Sequence, residues 1–121
     1  SRSEYSVNPI CYKPWGWYLN LDGSDYTGHK VKKICVYPNN RLSLQSHKER
    51  SEHWVIIKGK TKIQLGEDIL FLTVNQTVYI PKGVLHRLEN IGESNVEIIE
   101  TQIGNYLGED DIERYDDDFG R

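Results

Sequence analysis

Glycine, proline and asparagine interrupt this chain at short intervals, and between the interruptions apolar and polar residues tend to alternate. Lys13-Pro14 introduces the aromatic run 15–21, Asp22-Gly23-Ser24-Asp25 and Gly28 lead into 31–37, and Pro38-Asn39-Asn40 closes that run. Gly59-Lys60, Gly66-Glu67-Asp68, Asn75-Gln76, Pro81-Lys82-Gly83 and Gly92-Glu93-Ser94-Asn95 then set off 61–65, 69–72, 77–80, 86–90 and 96–103. A period of two marks a strand with one buried face. Short strands separated by turn residues predict an all-β sandwich or barrel. No segment before Gly104 carries sustained helical periodicity, and only the acidic stretch 109–114 is expected to hold a short C-terminal helical turn.

Chemistry concentrates in residues 42–59, which read as a strand, a tight polar turn and a second strand ending at Gly59. Alternation puts Leu42, Leu44 and Ser46 on one face and Ser43, Gln45 and His47 on the other. Glu52 opens the next run, Glu52-His53-Trp54-Val55-Ile56-Ile57, too rich in bulky and branched residues for a loop. An amide, an imidazole and a carboxylate brought together in this way can bind a divalent metal. A fourth ligand candidate, His86, follows the Pro81-Lys82-Gly83 bend. In a closed barrel the inward faces of separate strands meet, which would set His86 beside Gln45, His47 and Glu52. His53 adjoins Glu52 and belongs to the opposite face.

Composition narrows the rest. At 121 residues the chain is expected to be one domain, residues 1–121, with a single core. A net charge of −3 and a pI near 5.8 leave no basic footprint, which argues against nucleic acid. No apolar run approaches the length of a membrane span, so no membrane partner is expected. The chain has no Met, so Ser1 is not expected to be a native start. Residues 1–8 are polar and expected to be loose at their start. Cys11 and Cys35 are too few and too far apart for a disulfide framework or a zinc ribbon. Cys35, in an apolar stretch, reads as a buried thiol, and a reducing cytoplasm is the expected setting.

These residues carry a resemblance. Gln45-x-His47, then Glu52 and Gly59, resembles the first cupin motif with glutamine in place of its first histidine, and Pro81-x-Gly83-x-x-His86-x-x-x-Asn90 resembles the second. More narrowly, the chain resembles the C-terminal isomerase domain of type II mannose-6-phosphate isomerases, a family often fused to a mannose-1-phosphate guanylyltransferase. The segments that carry it are Lys13-Pro14-Trp15-Gly16, Leu42-Ser-Leu-Gln-Ser-His47, Ser51-Glu-His-Trp-Val55, Tyr79-Ile-Pro-Lys-Gly83, His86-Arg87-Leu88, Tyr106-Leu-Gly-Glu-Asp-Asp-Ile112 and Phe119-Gly120-Arg121. The family's nucleotidyltransferase domain does not lie in these residues, and its usual basic or histidine-rich run appears here as Lys48-Glu49-Arg50.

The resemblance implies a double-stranded β-helix, or jelly-roll barrel. It also implies interconversion of mannose 6-phosphate and fructose 6-phosphate at a divalent metal, zinc being the expected ion. Such a reaction moves a proton between adjacent carbons, and a metal can polarise the carbonyl without changing oxidation state. Gln45, His47, Glu52 and His86 would hold the ion. Arg50, in the turn between His47 and Glu52, is the first candidate for a catalytic or substrate-binding contact, since its guanidinium can grip phosphate bidentately. Lys48, Lys82 and Arg87 are further candidates. Because cupins commonly pair by packing sheets, Trp15, Trp17 and the strand 31–37 suggest a homodimer. Two other classes compete: an iron- or manganese-dependent cupin dioxygenase, against which Gln45 counts, and a non-catalytic module that binds a sugar phosphate or nucleotide sugar.

Overall fold

The computed structural model describes residues 9–120, and among these every regular element is a strand. One antiparallel sheet runs, in spatial order, β1 (Cys11–Lys13), β2 (Gly16–Gly23), β3 (His29–Val36), β10 (Val96–Gly104), β5 (Arg50–Lys58) and β8 (Thr77–Ile80). The second runs β11 (Glu113–Asp116), β4 (Leu44–Ser46), β9 (His86–Asn90), β6 (Thr61–Leu65) and β7 (Asp68–Leu72). The all-β expectation holds. The opening segment 1–8 and Arg121 lie outside the described residues.

The alternation in the sequence decides which side chains the two sheets enclose. Along β5, Arg50, Glu52, Trp54 and Ile56 are buried while His53, Val55 and Ile57 are exposed. Along β10 the buried set is Val96, Ile98, Glu100 and Gln102. Pairing lines these up into rows across the first sheet. One row is Tyr18, Ile34, Ile98 and Ile56; the next is Asn20, Lys32, Glu100, Trp54 and Val78; the next is Lys30, Gln102, Glu52 and Ile80. The facing sheet repeats the division, with Leu88, Ile63 and Leu70 in one row and Gln45, His86 and Leu65 in another.

The interior therefore has an apolar end and a polar end. Trp15, Ile34, Val36, Ile56, Ile63, Leu88, Val96 and Ile98 form the apolar cluster. Each fully buried aliphatic there contributes about 1.5–3 kcal/mol of transfer free energy. Asn90 closes its base, donating from Nδ2 to the carbonyls of Val36 (2.8 Å) and Ser94 (2.9 Å). The polar end holds the residues that the sequence marked for chemistry.

Several sequence expectations meet the structure here. Residues 109–114 form no helical turn. The amide of Asp111 closes a single tight turn on the Gly108 carbonyl, and its carboxylate accepts the amides of Lys48 (3.1 Å) and Glu49 (2.8 Å) before β11 begins. Tying Asp111 to the 48–49 turn favours an extended path along β4 over a local helical one. Trp15 lies in the core, and Trp17 is half-buried. Cys35 is a fully buried free thiol, as expected, and burial pushes its pKa up. No helix among the described residues is long and apolar enough to cross a membrane.

Candidate metal centre and adjoining cavity

His47, Glu52 and His86 come from three different segments and converge at the polar end, with one potential ligand atom from each lying within 4.8 Å of the others. Glu52 points inward by the phase of β5, and His86 by the phase of β9, where it pairs with Gln45 on one side and Leu65 on the other. His47 follows β4 and is fixed by the bend that sequence analysis picked out before His86. The Gly83 amide donates to the His47 carbonyl at 2.7 Å, and Gly83 reaches it with φ of 78°, a region open to glycine at little steric cost. Close approach on the other side needs Gly104. A Cβ there would stand 2.1 Å from the Glu49 carbonyl oxygen, so the end of β10 could not lie against the start of β5.

Both imidazoles are oriented by backbone carbonyls. His47 Nδ1 lies 2.6 Å from the Asp111 carbonyl oxygen and His86 Nδ1 lies 2.9 Å from that of Val84. Those partners can only accept, so each ring carries its proton on Nδ1 and has its lone pair on Nε2, the arrangement found behind metal-bound histidines. Burial followed by the charge of Arg50 brings the His47 pKa down to about 4, and burial first of all lowers that of His86. Two neutral imidazoles and a carboxylate suit a divalent ion such as zinc. Gln45 lies beside them; its amide nitrogen is tied to Ser43 O (3.2 Å) and Oγ (3.0 Å), which leaves its oxygen as the donor for an ion.

Arg50 sits within this group. Its Nε donates to Glu52 Oε2 at 2.8 Å and its Nη2 to His47 Nε2 at 3.2 Å, while Nη1 is buried without a partner among the described residues. Burial opposes the guanidinium charge, but the carboxylates of Glu52 and Glu100 outweigh it and hold the pKa above the ordinary value. An ion on His47 Nε2 would take the place of the Nη2 contact, leaving the guanidinium charge at the rim of the centre.

Glu100 escaped sequence analysis. It is buried between Trp54, whose Nε1 donates to Glu52 Oε1 (2.9 Å) and Glu100 Oε2 (3.2 Å), and Gln102, whose Nε2 donates to Glu100 Oε1 at 2.6 Å. Burial and then the nearby charge of Glu52 raise its pKa to about 7. The signal was present in the sequence, since Glu100 and Gln102 continue the inward phase begun by Val96 and Ile98. Lys32 was missed for the same reason, being on the inward phase of β3.

A cavity of about 170 Å³ opens next to the centre, lined by Gln45, Arg50, Glu100, Lys32, Tyr18 and Trp15 among others. Three of the four cations proposed from sequence lie elsewhere. Lys48 and Lys82 are exposed in turns. Arg87 follows His86 and so takes the opposite face of β9, where it donates to the Leu42 carbonyl (2.9 Å) and to Asp116 (3.1 and 2.9 Å) and fastens β11 in place. His53 is exposed and packs on Tyr79, with ring centroids 4.7 Å apart.

A barrel of two antiparallel sheets with a His–Glu–His cluster at one end defines a cupin, and solved cupins superpose on the chain. The cupin domain of Cnp3 from Schizosaccharomyces pombe matches with a TM-score of 0.72 at 12% identity, over 79% of this chain and 68% of that one. Oxalate decarboxylase OxdC from Bacillus subtilis matches with a TM-score of 0.77 at 15% identity, over 88% of this chain and 30% of that one. At those identities the likeness concerns fold alone. Residues 1–117 match the family described as Mannose-6-phosphate isomerase C-terminal, and the chain belongs to that family. Its relatives include the xanthan biosynthesis protein XanB of Xanthomonas campestris, 48% identical over 99% of this chain and 25% of that protein. They also include the mannose-1-phosphate guanylyltransferase of Salmonella montevideo, 44% identical over 100% of this chain and 25% of that protein. The chain thus spans about a quarter of the length of these curated relatives.

Proposed function

We propose that this chain is a metal-dependent aldose–ketose isomerase domain that interconverts mannose 6-phosphate and fructose 6-phosphate. The observation that carries the reading is the convergence of His47, Glu52 and His86 beside a cavity that also presents Arg50 and Glu100. When bound, a divalent ion, zinc by the character of the donors, supplies a Lewis acid that polarises the sugar carbonyl without redox change. His47, Glu52, His86 and the Gln45 oxygen hold it. Arg50 keeps a fixed positive charge at the cavity wall, where it holds the oxygen on which negative charge develops. Isomerisation removes the C2 proton of the aldose and returns a proton to C1, with the hydroxyl proton passing from O2 to O1. Glu100 is the cavity carboxylate beside Arg50 that can accept and return the carbon-bound proton. The hydrogen bonds from Trp54 and Gln102 fix its two oxygens in place.

The test is turnover of mannose 6-phosphate by the metal-loaded chain, followed by NMR. Glu100→Gln is expected to bind one metal per chain and to lose about a hundredfold or more in rate, the size of a general acid–base contribution. An undiminished rate in that variant would remove Glu100 from the chemistry.

A further inference from the structure

The cavity is lined by Arg50, Gln45 and Glu100, next to the metal cluster, and also by Lys13, Tyr18, Lys32, Glu109 and Arg114. Lys32 is the unusual member. Its ammonium comes from the inward phase of β3, its side chain is only 7% exposed, and it lies 4.5 Å from the centre of the Tyr18 ring. A buried lysine requires a counter-charge. Here the counter-charge is the Glu109 carboxylate at 2.5 Å, carried by the segment between β10 and β11, with a side chain that is 58% exposed. The cation is thus fixed in the barrel wall, whereas its partner reaches in from the rim.

Two further features ask for an oxygen-rich ligand. Arg50 Nη1 and Trp15 Nε1 are buried donors without partners among the described residues, and both belong to residues that line this cavity. The charged side chains in its lining are Lys13, Lys32, Arg50 and Arg114 against Glu100 and Glu109, so the lining is cationic even with both carboxylates charged. Neither Lys13 nor Arg114 is held in an ion pair among the described residues, which leaves both able to turn toward a ligand.

We propose that Lys32, flanked by Lys13 and Arg114, is the subsite for the phosphate of a phosphomonoester, and that the Glu109 carboxylate occupies it until that phosphate displaces it. The assignment rests on the isomerase reading for the sugar attached to the phosphate, and it moves the phosphate contact from the exposed Lys48 and Lys82 to a cation buried in the wall. A dianionic phosphate accepts from several donors at once, so it can engage Lys32 together with Lys13 or Arg114 where Glu109 engages Lys32. Displacement adds a competitor to binding, and removing the competitor tightens the phosphate.

Calorimetric titration of the full 121-residue chain with inorganic phosphate, and separately with mannose 6-phosphate, tests this without needing turnover. Lys32→Gln is expected to weaken both ligands about tenfold or more, as loss of one charge-assisted contact would. Glu109→Gln, which removes the competing charge and keeps an amide oxygen that can accept from Lys32, is expected to tighten both, and Lys82→Gln is expected to change neither. Unchanged or weaker phosphate binding by Glu109→Gln would overturn the proposal, whether or not Lys32→Gln folds. Lys32-dependent binding of mannose 6-phosphate with no turnover would sink the isomerase reading and leave the subsite standing. Turnover by Lys32→Gln at an unchanged KM would do the reverse.

Discussion

The two ends of one barrel interior are built from the same strands and the same alternation, yet they do opposite things. At the apolar end, Ile56, Ile63, Leu88, Val96 and Ile98 are fully buried and have no chemistry beyond packing. At the polar end, Glu52, Glu100, Gln102, Arg50 and His47 are almost as deeply buried, and each is held by hydrogen bonds that satisfy part of its polar surface. A buried charge costs several kcal/mol unless it is paired, and a buried polar group costs free energy unless it is hydrogen-bonded, so a folding chain gains nothing from placing five polar or charged groups together. The difference teaches that stability resides at one end and that the other end is a destabilising concentration of polar groups whose placement is explained by binding.

Substitutions can separate the two ends. The largest effect is expected for His47→Ala, which removes a proposed ligand and should abolish tight metal binding, whereas His53→Ala on the outer face should leave it intact; titration with a coloured metal such as cobalt measures both. If His53→Ala were the variant that lost the metal, the polar interior would not be the site. Next comes Ile63→Ala at the apolar end. It should cost about 2–5 kcal/mol in urea unfolding, the range for a large-to-small change in a packed core, with metal stoichiometry unchanged in the folded fraction. A loss below about 1 kcal/mol would mean that the apolar end does not carry the fold.

Arg50 sharpens the comparison within the polar end. Arg50→Lys keeps the charge and removes the planar fork that reaches both Glu52 and His47. Both Arg50→Lys and Arg50→Ala are expected to lower turnover by about a hundredfold, equivalent to 2–3 kcal/mol, with metal content retained. A wild-type rate in Arg50→Ala would reduce this guanidinium to a structural counter-charge for Glu52.

The smallest effect belongs to the rim, where exposed charges clasp the C-terminal strand. Arg41 Nε and Nη2 bind the two Asp118 oxygens at 2.8 and 2.9 Å, and that hydrogen bond holds the Asp118 pKa below its ordinary 3.8. A carboxylate depressed by folding stabilises the folded state above its unfolded pKa and loses that contribution as pH falls through the folded value. Acidification from pH 5 to below about 3 is therefore expected to loosen β11 first. Amide exchange corrected for intrinsic rates would show faster opening at residues 113–118 than in β10, and equal loosening of the two would contradict a local clasp.

Much of this was legible in the sequence because a two-residue period has few ways to be read. The strands β5, β6, β8, β9 and β10 follow from alternation between turn residues, and the inward phase of β5 gives Glu52 while rejecting His53. The phase argument also brought His47 and His86 toward one point, because barrel closure forces inward faces together. It failed where a charged residue occupied an inward position, as with Glu100 and Lys32, since a charge within a strand ordinarily faces solvent. Arg87, one of the further candidates for a substrate contact, takes the opposite face from His86, as the alternation requires, and there fastens β11. The path of residues 105–118 could not be read locally. It is set by long-range partners, Asp111 with His47, Asp116 with Arg87 and Asp118 with Arg41, rather than by its own periodicity.

The central claim is that the polar end holds a metal on which an isomerase depends. The most direct measurement is conversion of mannose 6-phosphate to fructose 6-phosphate by the purified chain, assayed as loaded with zinc, after chelation, and after zinc is restored. The account predicts turnover with one zinc per chain, loss on chelation and recovery on reloading. A chain that binds one zinc through His47, Glu52 and His86 and still converts no mannose 6-phosphate would contradict it.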